Sequence, residues 1–104
     1  MGTAIINVKI TIHNEPDQAV KIPAFSAFLE GMFLEAMLYL GAIPDPRTGE
    51  TIEDLELAEY KIDLLGMLQS KTEGNLDTEE KERIEAILYQ LRMIYLEKTK
   101  SINL

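Results

Sequence analysis

One stretch limits what this chain can fold into. Residues Ala24 to Leu40 read AFSAFLEGMFLEAMLYL, and only Ser26, Glu30 and Glu35 interrupt a run of apolar and small side chains. The run is shorter than the roughly 20 residues that cross a bilayer, Glu35 lies well inside it, and neither flank carries a Lys and Arg cluster. A buried helix of a soluble protein is therefore expected, and no membrane partner. Phe25, Phe28, Leu29, Met32, Phe33, Ala36, Met37 and Leu40 follow the spacing of three and four that makes one core-facing stripe. Leu34, Leu38 and Tyr39 fall outside it, and Ala27 and Gly31 form a small-residue row that would let another backbone approach. A helix apolar on more than one face needs more than one neighbour.

The flanking sequence supplies neighbours. Gly41 suits the end of this first helix, expected over 23–41 with Pro23 in its first turn, and Pro44 and Pro46 forbid continuation. In IPDPRTGE, Asp45, Pro46 and Gly49 stand where a type I turn followed by a left-handed residue wants them. A second helix is expected over 55–73, with Asp54 as N-cap and Leu55, Leu57, Ala58, Ile62, Leu64, Leu65 and Leu68 inward. Gly66 inside it costs about 1 kcal/mol relative to Ala and marks close packing. A third helix over 78–98 opens on a capping box, Asp77 with Glu80, and buries Ile84, Ile87, Leu88, Leu91, Ile94 and Tyr95. Glu79 with Arg83, and Lys81 with Glu85, are spaced to pair on its exposed face. The short link between the last two helices makes them antiparallel.

Ahead of the helices, Ile6, Val8, Ile10 and Ile12 alternate with Asn7, Lys9, Thr11 and His13, the period of a half-buried strand. Asn14 to Gln18 are turn formers, and Ala19 to Ile22 could return as a second strand. A lone hairpin is marginal in water, so its Ile face must dock on the helices or pair across copies. The expected architecture is mainly α: a three-helix bundle with an N-terminal β-strand or short β-hairpin, in one domain over residues 1–104.

The segments GAIPDPRTGE, DLELAEYKIDLLGMLQSKTEGNL and EEKERIEAILYQLRMIYLE, in this order and spacing, resemble the small bacterial proteins grouped as domain of unknown function family 1844. The resemblance covers residues 25 to 97 and leaves out residues 1 to 22. It departs at Asp77 and Thr78, where a threonine cap followed by proline is expected. It implies an all-helical body and brings no catalytic residues with it.

Chemistry has little foothold. With 18 acidic against 10 basic residues and a net charge of −8, the chain lacks the basic clusters that neutralise phosphates, so nucleic acid is a poor partner. No cysteine is present, which removes thiolate nucleophiles and thiolate metal sites, and the N-terminus lacks a secretory pattern, so a cytoplasmic location is expected. His13, the one imidazole, sits on the polar edge of the expected strand as a surface residue. Glu56, Glu59 and Asp63 share a face of the second helix, where a solvated acidic surface is favoured over a divalent-metal site. Glu30 and Glu35 lie in apolar sequence that could raise a carboxyl pKa for general-base work, but the plainer reading puts them on the exposed edge or in pairs with Lys or Arg of a second subunit. Arg92 is expected to neutralise an acid of the first helix, and Met32, Met37, Met67 and Met93 are expected in the core.

These readings favour a non-enzymatic oligomerising or partner-binding module, a homodimer above all, with no cofactor, catalytic residue or metal ligand assigned. Its contact surface is expected to comprise Phe25, Phe28, Met32, Phe33, Leu34, Met37 and Leu38 of the first helix with Ile6, Val8, Ile10 and Ile12. The alternatives are a carboxylate-based acid/base or divalent-metal enzyme, or an apolar-ligand carrier with a cavity beside the first helix.

Overall fold

A computed structural model describes residues 24–102, with side chains described for 24–100. Three helices account for most of it: α1 (Phe25–Tyr39), α2 (Leu55–Lys71) and α3 (Thr78–Ile102), each packed against the other two. The expected N-terminal hairpin, with Ile6, Val8, Ile10 and Ile12, lies outside the described residues. Within them no strand forms, and the only β-type pairing is an isolated bridge between Pro44 and Thr51.

Local chemistry sets the ends of the helices. Ala24 enters α1 from an extended conformation without a side-chain cap, and the helix ends in a Schellman arrangement in which Gly41 donates to the Leu38 carbonyl and Ala42 to that of Met37. Gly41 adopts φ +75°, and a Cβ there would stand 3.1 Å from the Ile52 carbonyl oxygen, so this turn has two reasons to exclude a side chain. The Asp54 carboxylate caps α2 by accepting from Leu57 N–H at 3.0 Å. Asp77 and Glu80 form the reciprocal capping box of α3, at 2.8 and 3.0 Å. α3 runs past the expected stop at Lys98 to Ile102, because nothing in the last turn breaks a helix and Lys100 suits its negative end.

The helices run up, down and up. Asp54 N–H donates to the Tyr39 carbonyl at 2.8 Å, so α2 starts where α1 stops, while Lys98 reaches Glu53 at 3.1 Å and brings the far end of α3 to the same place. Between them lies one core: Leu29, Ala36 and Leu40 from α1 and its end, Ala58, Ile62 and Leu65 from α2, and Ile84, Ile87, Leu88 and Leu91 from α3. Each buried Leu or Ile removes enough apolar surface from water to contribute on the order of 1.5 to 3 kcal/mol. Phe25, Met32, Phe33, Met37, Leu55, Leu68, Leu76, Ile94 and Tyr95 close over this cluster.

The loop after α1 folds on Asp45. Its amide donates to the Glu50 carbonyl, and its own carbonyl accepts from Thr48 and Gly49, the latter at φ +78°. This is the turn that Asp45, Pro46 and Gly49 predict.

Candidate interaction surface

Phe25, Met32, Phe33 and Met37 are half-buried and pack on this chain's own core. Phe28 corrects the core-stripe expectation: it lies one step around the helix from the Phe25, Leu29, Met32 row and is 54% exposed, as is Leu34. Leu38 is half-buried, and Ala24, Ala27 and Gly31 are exposed. These six residues recur at intervals of three and four, so they share the side of α1 that faces away from α2 and α3. A Cβ built on Gly31 would meet nothing within 4 Å.

One ion pair borders this face and a second lies on it, since Glu35 follows Gly31 by four residues and Phe28 by seven. Arg83 of α3 hydrogen-bonds the Glu30 carboxylate, and Lys61 of α2 lies 3.1 Å from that of Glu35. Arg83 also stands over the Phe33 ring, 5.9 Å from its centroid, so the expected pair with Glu79 yields to a partner on another helix and an aromatic face. The Arg83 hydrogen bond, aided by its charge and opposed by slight desolvation, holds the Glu30 carboxyl below its usual 4.5.

The remaining candidates scatter. Arg92, expected against α1, instead turns toward α2, where its Nη2 would stand 3.2 Å from a Cβ on Gly66. Gly66 therefore accommodates a guanidinium and not a close backbone crossing. Glu59 and Asp63 line an open groove with Arg92 and Tyr95, and burial, then Glu59, push the Tyr95 hydroxyl above its usual pKa of 10.0. Among the described residues no group of three or more His, Cys, Asp or Glu side chains is placed to hold a metal ion, and His13 lies outside them. Met67 and Met93, expected in the core, are about half exposed. One open hollow beside α1 is lined by Ser26, Glu30, Glu79, Glu82, Arg83 and Ala86. Asp45, the one buried charged residue among those described, is satisfied by Arg47, whose backbone N–H donates at 2.8 Å and whose Nη2 donates at 3.1 Å; these bonds hold its carboxyl below the usual 3.8.

Sequence reasoning missed Lys61 and Arg83 as partners of the α1 carboxylates, since local spacing offers only partners on the same helix. It also missed the exposed Tyr60, Tyr89 and Leu96.

The fold and this surface define a class: a small acidic three-helix module with one helix face left uncovered by its own bundle. The chain belongs to the family described as Domain of unknown function (DUF1844), whose pattern matches residues 23–97. No curated protein and no solved structure matches it. No helix among the described residues is long and apolar enough to cross a membrane.

Proposed function

We propose that this chain is a non-enzymatic oligomerising or partner-binding module of the cytoplasm, and that the outer face of α1 is its contact surface. The observation that carries the reading is the position of Phe28 and Leu34, each 54% exposed on either side of an unobstructed Gly31. An apolar strip of this kind, bordered by polar residues, marks an interaction site more often than an idle surface. Burying each such side chain is worth on the order of 1.5 to 3 kcal/mol, so the strips of two chains together favour association. The pairing of Glu30 with Arg83 and Glu35 with Lys61 weighs against the acid/base alternative, because both carboxylates are engaged in structural contacts. The N-terminal residues Ile6, Val8, Ile10 and Ile12 extend the proposed surface if they form the strand their alternation suggests.

Sedimentation velocity of the full chain over about 1 to 100 µM, the range in which such small interfaces associate, tests the oligomeric form. A mass that rises to that of a dimer or larger is expected. A clean monomer throughout would refute it.

A further inference from the structure

Resting on that reading, we infer that the occupant of the α1 outer face is a second copy of this chain, lying antiparallel across the first with the two helices crossing at Gly31. Charge selects the occupant. The chain carries a net charge of −8, and two copies repel wherever acidic surface meets acidic surface. On the α1 outer face Glu35, and Glu30 at its border, are tied to cations of their own chain, so the face presents apolar and small side chains with a single carboxylate that is already ion-paired. A basic partner would instead be drawn to Glu56, Glu59 and Asp63 on α2 or Glu79, Glu82 and Glu85 on α3, all exposed.

The arrangement of residues selects the geometry. A twofold contact requires that if one residue meets a second, the second meets the first. Phe28 lies three residues before Gly31 and Leu34 three after; Ala24 lies seven before and Leu38 seven after. An antiparallel crossing at Gly31 thus lays Phe28 of each copy on Leu34 of the other, and Ala24 on Leu38, around the point where the absent side chain lets the backbones approach. It also separates the two Glu35 carboxylates by about 12 Å along the helix axes, at a rise of about 1.5 Å per residue and beyond the screening length of physiological salt. A parallel pair would set them side by side. α1 has 15 residues and so is about 22 Å long, which keeps the buried area at the low end for specific interfaces and the dissociation constant near micromolar.

The chain has no cysteine, so an introduced one reports cleanly. Full-length Gly31→Cys and Ala27→Cys are each oxidised at a concentration where the wild type has been sedimented, with circular dichroism confirming helix content. A disulfide needs Cα atoms within about 7 Å. Gly31→Cys is expected to give a covalent dimer and Ala27→Cys, with copies about 12 Å apart along the axis, to give little. Equal linkage of both variants would overturn the antiparallel crossing. A wild-type dimer with no Gly31→Cys linkage would overturn the crossing while leaving association intact. A wild-type monomer would overturn both this inference and the oligomeric reading; an internal disulfide in Ile10→Cys/Gly31→Cys would then assign the face to the chain's own N-terminal residues.

Discussion

Arg83 of α3 hydrogen-bonds Glu30 of α1 while standing 5.9 Å from the centroid of the Phe33 ring one turn along the same helix. One cation thereby joins two helices and neutralises one border of the α1 outer face. Both side chains are less than half exposed, so the pair retains some strength without being desolvated.

Arg83→Gln is expected to lower stability at neutral pH by about 0.5 to 1 kcal/mol, the scale of an exposed ion pair with an aromatic contact, read from urea midpoints. The pH dependence follows from the sign of the Glu30 shift. Because the folded pKa is depressed below 4.5, the contribution of Glu30 is present above that pH and is lost as pH falls through the folded value. The variant should therefore lose less stability than the wild type on acidification below pH 4.5, with Asp45, depressed from 3.8, supplying acid sensitivity in both. Equal losses in the two proteins would contradict the pairing.

Two glycines have opposite expected outcomes. Gly41→Ala places a Cβ 3.1 Å from a backbone oxygen at φ +75° and should destabilise by about 1 to 2 kcal/mol, seen as a lower Tm. Gly66→Ala meets only the end of the exposed Arg92 side chain, which can move aside. Its higher helix propensity should then raise stability by up to about 1 kcal/mol. A loss at position 66 comparable to that at 41 would show that the α2–α3 contact there is rigid.

Leu65 and Leu34 separate core from surface. Leu65→Ala removes a fully buried side chain and should cost about 3 kcal/mol. Leu34→Ala should leave the stability of the monomer within about 0.5 kcal/mol, while reducing any dependence of Tm on protein concentration. Equal destabilisation by both, independent of concentration, would mean that Leu34 is packed within its own chain.

Much of the bundle was legible because local rules decide it. The spacing of Ile84, Ile87, Leu88 and Leu91, the Asp77–Glu80 box, the Asp54 cap and the Asp45–Gly49 turn all depend on residues within four positions of one another. What failed depends on which helix lies opposite. Periodicity put Phe28 on the core stripe, but the rotation of α1 against two neighbours leaves it outside. Local spacing assigned Arg83 to Glu79, yet Glu30 and Phe33 are brought to it only by folding. Arg92 was assigned to α1 although the side of α3 that carries it faces α2. The surplus of apolar residues on α1 was plain in the sequence, and the structure reduces it to Ala24, Ala27, Phe28, Gly31, Leu34 and Leu38.

The central claim is that this face mediates association. Its most direct test is sedimentation equilibrium of the full chain beside Phe28→Gln/Leu34→Gln, which removes apolar area from the strip while leaving the core cluster untouched. The wild type should form dimers with a micromolar dissociation constant, and the variant, with unchanged helix content, should dissociate at least about 30-fold more readily, the equivalent of about 2 kcal/mol. Dimers of equal strength in both, or monomers in both, would contradict the account.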